Sequence, residues 1–170
     1  FWDDRIDDGK VTWGAAGHWH VDGAHFQHKV NSKEVGLLPI FLFTQINKHD
    51  GGTLLCPGSH KVVANILHKH HQEERGGETD YSMSNGIVNS IVSGMSSGEL
   101  SEKAIIQCDI DHNFVEIQGD PGDVVLCHPF MLHARSMNCG KGLDRNVRPM
   151  CHPGIALKES MNIYGSCSER

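Results

Sequence analysis

The sequence predicts an all-β dominated fold, a double-stranded β-helix (jelly roll) with a few peripheral helices. The apolar segments are short, turns containing Gly or Pro separate them, and strands do not alternate regularly with helices. At 170 residues, with 38% hydrophobic and 21% charged residues, the chain is expected to form one globular domain.

The first half of the chain contains two predicted strands and one predicted helix. GLLPIFLFTQI at residues 36–46 predicts a central buried strand, and TLLCPGSH at 53–60 predicts a second strand that ends in a Pro-Gly turn. Apolar residues at helical spacing predict a short amphipathic helix over residues 61–74. Residues 75–101 are rich in Gly, Ser, Asn and Glu, which predicts a long insertion.

The second half contains three further predicted strands. The alternating NFVEIQ at residues 113–118 predicts one strand, and VVLCHPFML at 124–132 predicts a buried one. VRPMCHPGIAL at 147–157 is interpreted as a last strand interrupted by two prolines.

Charge and cysteine usage bear on partners and compartment. The formal net charge is −6 and no Lys/Arg run exceeds two residues, which argues against nucleic-acid and membrane-surface partners. The longest apolar run, at residues 35–43, is too short to span a bilayer. Six cysteines without a CxxC pair predict thiols that are not cross-linked, in a reducing, intracellular compartment.

Histidines and one aspartate form a candidate metal site. Within GHWHVDGAHF at residues 17–26, His20 and Asp22 are two residues apart, so on a strand both side chains point to the same face. CHPFMLHARSMN supplies His133 as a third ligand from a strand expected to run beside the first. Two imidazoles and one carboxylate on one side of an ion form the facial triad of non-haem Fe(II) oxygenases, which leaves three positions open.

A different ligand pattern overlaps this one. His18 and His20 form an HxH pair, as in cupin metal sites. Those sites usually add a glutamate a few residues later, but the first glutamate after His20 in this chain is Glu34. The HxD pattern is therefore favoured, with His18 and His25 as neighbours of the site. A cupin-like hydrolase or isomerase with Zn or Mn, and a non-catalytic jelly-roll binding module, remain alternatives.

Four motifs in order resemble the phytanoyl-CoA dioxygenase family of Fe(II)/2-oxoglutarate-dependent oxygenases, over residues 13–160. They are WHVDG, GGTLLCPGSHK, GDVVLCHPFMLHARSMN and VRPMCHPGIALKE. The resemblance implies hydroxylation of a C–H bond of a small-molecule substrate. It implies Fe(II), 2-oxoglutarate as cosubstrate and O2, with release of succinate and CO2. Residues 1–170 would then be a single dioxygenase domain without the family's N-terminal helical portion, and residues 75–113 an insertion and candidate lid.

The resemblance also implies roles for individual residues. His20, Asp22 and His133 match the metal ligands, and the earlier His128 is expected to be structural. Arg148 matches the arginine that binds 2-oxoglutarate, with Arg145 as the competing candidate, since a planar guanidinium binds a carboxylate in a bidentate manner. Phe41 falls where the family places an aromatic residue beside the cosubstrate.

Overall fold

The computed structural model describes residues 14–74, 94–139 and 148–161, and the backbone of two short strands before them. In these parts of the chain we find eight strands and two helices. Their bounds are β1 (Ile6–Asp7), β2 (Lys10–Val11), β3 (Leu38–Leu42), β4 (Thr53–Leu55), α1 (Ser59–Glu74), α2 (Ser97–Gln107), β5 (Val115–Glu116), β6 (Val124–Cys127), β7 (His133–Arg135) and β8 (Met150–Cys151).

The strands form small antiparallel sheets. One three-stranded sheet has the order β6-β3-β8 and another has the order β5-β4-β7, while β1 and β2 pair separately. Leu38 pairs with Cys127 in the first of these sheets, and Leu55 pairs with His133 in the second. The β-rich part of the predicted fold is thus confirmed, and the jelly-roll connectivity stays a prediction.

Two apolar clusters hold these elements together. The first lies where α1 packs against α2, and it also takes in Val21 beside the predicted ligands. The second lies under β3. The members of the second cluster are Leu38, Ile40, Leu42, Ile46, Leu55, Ile117 and Cys127.

The buried strand predicted at residues 124–132 needs a correction. β6 is the edge strand of its sheet, and Val124 and Leu126 are 42% and 66% exposed. They share one face because side chains alternate along a strand, and in the described residues β6 pairs on one side only. The apolar residues that are buried come at the end of the segment, at Cys127, Phe130 and Leu132.

A second helix lies in the segment predicted as an insertion. Residues 75–93 lie outside the described residues, but Ser97–Gln107 forms α2. Neither described helix is long and apolar enough to cross a membrane. The five described cysteines are all unlinked thiols, as predicted.

Candidate metal centre

His20 and His133 lie directly opposite each other on adjacent backbone segments. The His20 N–H donates to the His133 carbonyl at 2.9 Å, and the His133 N–H donates to the His20 carbonyl at 3.0 Å. Such a pair places both side chains on one face, and the two ring centroids are 4.4 Å apart. His133 is fixed from its other side as well, because β7 pairs with β4.

Hydrogen bonds to the backbone set the orientation of both rings. The Nδ1 of His20 lies 3.0 Å from the His18 carbonyl, and the Nδ1 of His133 lies 3.1 Å from the Met131 carbonyl. A carbonyl only accepts, so each Nδ1 donates a proton to it, which leaves Nε2 as the ring nitrogen that a metal can reach. This is the arrangement that metal-binding histidines usually have.

Asp22 completes the cluster. Its Oδ1 lies 3.5 Å from His20 Nε2 and 3.4 Å from His133 Nε2. Burial alone would raise the pKa of Asp22, but the neighbouring His133 and His20 imidazoles outweigh burial and hold that pKa well below its usual range. The same carboxylate raises the pKa of His20, against the opposing effect of burial.

The residues present fit a divalent metal ion. Among the described residues, the group of three ligand atoms within 4.8 Å of one another comes from His20, Asp22 and His133. His133 Nε2 is buried and has no hydrogen-bond partner in the described part of the chain, which is costly for a polar atom unless something binds it. Two nitrogens and one carboxylate oxygen suit Fe(II).

Helix α2 holds the backbone between His20 and Asp22. The N–H of Val21 donates to Ser101 Oγ on α2 at 3.0 Å, and the Val21 side chain is 1% exposed in the core. Within the described residues this segment is paired through an isolated bridge between His20 and His133, where a regular strand was expected. α2 therefore takes part in positioning the ligands.

A cavity of about 250 Å³ opens on one side of the cluster. His20 and His133 line it together with Arg148, which approaches from the segment before β8. The structure thus brings the predicted arginine and two predicted ligands to a common space. The full set of lining residues is His20, Ile40, Thr53, His133, Ala134, Arg135, Arg148, Met150 and His152.

The position of Arg148 depends on a tight turn. A Cβ on Gly51, which has φ of +80°, would come within 2.8 Å of Arg148 Nη2, so glycine allows the guanidinium to lie against the backbone. Glu116 fixes this turn by accepting from the N–H groups of His49 at 2.7 Å and Gly52 at 2.9 Å. Burial lowers the pKa of Arg148 and Glu116 opposes that shift, and a guanidinium stays charged in either case.

A larger open groove of about 1070 Å³ lies along α2. Its lining includes His20 and Asp22, and also His18, Trp19 and the first turn of α2. His20 borders both spaces. The cluster therefore has a small arginine-bearing cavity on one side and a groove large enough for an organic substrate on the other.

The remaining predicted residues lie elsewhere. Phe41 does not reach the cavity, since β3 contributes Ile40 and the next residue along a strand points to the opposite face. Arg145 lies outside the described residues. His18 and His25 line the groove as exposed neighbours, and His128 Nδ1 accepts from the N–H of Phe130 at 3.1 Å, a structural contact.

Sequence reasoning missed two residues that contact the site. Ser101 had no motif to reveal it. His152 did have a signal, because residues 148, 150 and 152 alternate along a strand and therefore share a face, and all three line the small cavity.

The small antiparallel sheets and the two-histidine, one-carboxylate cluster define a candidate mononuclear metalloenzyme. Comparison with family models gave a match to phytanoyl-CoA dioxygenase (PhyH) over residues 10–147. The chain belongs to this family. Comparisons with curated proteins and with solved structures gave no match.

Proposed function

We propose that the protein is an Fe(II)- and 2-oxoglutarate-dependent dioxygenase that hydroxylates a C–H bond of a small molecule. The observation that carries this proposal is the common cavity, which is lined by two histidines of the metal cluster and by Arg148. Membership of the phytanoyl-CoA dioxygenase family supports it. The substrate need not be an acyl-CoA, because a fold does not determine the substrate.

In this proposal His20, Asp22 and His133 hold the iron through Nε2, Oδ1 and Nε2. Bound together, iron, 2-oxoglutarate and O2 supply an oxidative decarboxylation that provides the oxidising power for hydroxylation. The chain's own part is to orient these reactants. Arg148 would bind the carboxylate of 2-oxoglutarate that does not contact the metal, because a buried charge without a partner is unfavourable.

The groove along α2 is the proposed substrate site. It is lined by His20 and Asp22 and thus reaches the metal ligands. Trp19 contributes apolar surface there and Ser97 contributes a hydroxyl.

An anaerobic titration of the full chain with Fe(II) and 2-oxoglutarate tests the proposal. We expect the weak visible metal-to-ligand charge-transfer band that forms when 2-oxoglutarate chelates ferrous iron. Asp22→Ala should abolish both the band and 2-oxoglutarate turnover, because it removes the anionic ligand. A folded wild-type protein that gives no band would contradict the proposal, and unchanged turnover in Asp22→Ala would remove Asp22 from the ligand set.

A further inference from the structure

His152 is a third imidazole at the metal cluster, and it contacts the oxygen of Asp22 that lies away from the two ligand histidines. Its Nδ1 lies 3.2 Å from Asp22 Oδ2. The other oxygen, Oδ1, lies 3.5 Å from His20 Nε2 and 3.4 Å from His133 Nε2. One oxygen of the carboxylate thus faces the two ligand histidines, and the other faces His152.

This division determines how the carboxylate can bind a metal. A carboxylate whose second oxygen has no partner can rotate, or it can chelate the ion with both oxygens and occupy one more coordination position. Nδ1 of His152 has to carry a proton to bond Oδ2, since a carboxylate only accepts. At 3.2 Å a protonated Nδ1 is close enough to hold Oδ2, while Oδ1 is the oxygen that lies nearest His20 and His133.

His152 itself stands apart from the ligand set. Its ring centroid is 6.1 Å from that of His133 in an edge-to-face arrangement, whereas His20 and His133 are 4.4 Å apart. Of the described residues, the group within 4.8 Å that could hold an ion does not include it. His152 therefore contacts the carboxylate without belonging to the three-residue ligand group.

β8 places His152 there. The strand pairs with β3, and His152 follows it directly, on the same face as Arg148 and Met150. Thr53 Oγ1 donates to Met150 Sδ at 3.3 Å and ties this face to β4. His152 lies beyond residue 147, where the match to the family model ends.

We propose that His152 is a positioning residue of the metal centre: it binds Asp22 Oδ2 and presents Oδ1 alone to the metal. Three coordination positions of a bound ion would then stay open for the cosubstrate and O2. This inference rests on the proposed iron site.

The test compares His152→Ala with His152→Asn in the full chain. The asparagine amide nitrogen can take the place of Nδ1 as a donor, whereas alanine removes the donor. Anaerobic titration with Co(II), followed by its visible absorption, gives the metal affinity, and thermal unfolding without metal checks the fold. His112→Ala is the control, since that exposed histidine pairs with Asp109 away from the cluster.

We expect His152→Ala to weaken Co(II) binding by about 10- to 100-fold, as replacement of groups that orient metal ligands typically does. His152→Asn should stay within roughly threefold of wild type, which is small on that scale, and His112→Ala should match wild type. Unchanged affinity in His152→Ala would overturn the inference. An equal loss in the alanine and asparagine variants would overturn it too, because the imidazole itself would then be required.

The wild-type titration separates this inference from the proposed function. If wild type binds neither Co(II) nor Fe(II), the iron site itself fails, and the inference fails with it. If wild type binds metal and His152→Ala binds it equally well, only the role of His152 is refuted.

Discussion

At the residue scale, the proposed binding of 2-oxoglutarate depends on one side chain, Arg148. It shares the small cavity with Arg135, but the two arginines differ in surroundings. Arg135 is exposed and its Nη2 donates to the Ala16 carbonyl at 3.3 Å. Arg148 is half-buried against the Gly51 turn. The less solvated guanidinium is the stronger partner for a carboxylate.

We expect Arg148→Gln to weaken 2-oxoglutarate binding by about 10- to 100-fold, since hydrogen bonds to a charged group contribute about 1.5–3 kcal/mol. Arg148→Lys should bind 2-oxoglutarate with intermediate affinity, because lysine keeps the positive charge but cannot form the two parallel hydrogen bonds of a guanidinium. Titration of the charge-transfer band with 2-oxoglutarate measures this. Arg135→Gln is the matched control. A larger loss of 2-oxoglutarate affinity in Arg135→Gln than in Arg148→Gln would mean that Arg135 binds the carboxylate.

His128 gives a prediction about pH. Partial desolvation lowers its pKa from 6.5, and nearby His60 adds to that shift. The unfolded chain therefore takes up a proton near pH 6.5 that the folded chain resists. The contribution of His128 to stability is full above that pH and declines as the pH falls toward the lower folded-state value.

The free energy of unfolding, measured by urea denaturation from about pH 7.5 to about pH 5, should fall less in His128→Asn than in wild type. Asparagine keeps an oxygen that can accept from the Phe130 N–H, but it does not titrate. A variant whose stability falls as steeply as that of wild type would exclude His128 as the cause.

At the scale of elements, α2 links the core to the ligands. Leu100 and Ala104 are fully buried in the cluster between α1 and α2, while Ser101 between them holds the Val21 N–H. A single helix therefore packs the core and supports the backbone between His20 and Asp22.

Leu100→Ala should lower the free energy of unfolding by about 2–5 kcal/mol, the range for a fully buried leucine. Ile106→Ala on the same helix should change it by less than about 0.5 kcal/mol, because Ile106 is 84% exposed. Chemical denaturation of both variants measures this difference, and similar losses would show that α2 is not anchored through its buried face.

The elements predicted correctly are those with an unambiguous local pattern. The apolar run at β3 and the helical spacing in α1 needed no knowledge of distant residues. α2 was not predicted because its sequence, SGELSEKAIIQ, follows a polar segment. A local signal was present, since Ser96 and Glu99 form a capping pattern in which the Ser96 side chain accepts from the Glu99 N–H. The exposure of β6 depends on its place at the sheet edge, which only the tertiary structure reveals.

Residues of the candidate site were likewise predictable where a sequence motif contains them, and not elsewhere. His20, Asp22 and His133 follow from motifs and form one cluster. Arg148 also follows from a motif, and it lines a cavity together with two of them. Phe41 was chosen by family position alone, and the alternation of side chains along β3 turns it away from the cavity. Ser101 comes from a segment without a motif, so its contact with Val21 could not be foreseen.

For the whole molecule, the ligands come from segments that are distant in sequence, since residues 20 and 22 lie more than a hundred positions before residue 133. An ion bound by all three connects these segments and favours the folded state. Folding stability and metal binding are therefore linked.

We expect Fe(II) or Co(II) at about 100 times its dissociation constant to add about 2.7 kcal/mol of stability. For a chain of this size that raises Tm by roughly 5–11 °C. Anaerobic calorimetry with and without metal measures the shift, and Asp22→Ala should show little of it. A metal-induced shift of equal size in Asp22→Ala would mean that the ion binds elsewhere.

The position of His20 between the cavity and the groove has a kinetic consequence. A dicarboxylate analogue held by Arg148 and an organic molecule held along α2 would occupy opposite sides of one imidazole. Inhibitors of the two types would then be mutually non-exclusive, and neither reactant would need to pass through the entrance used by the other.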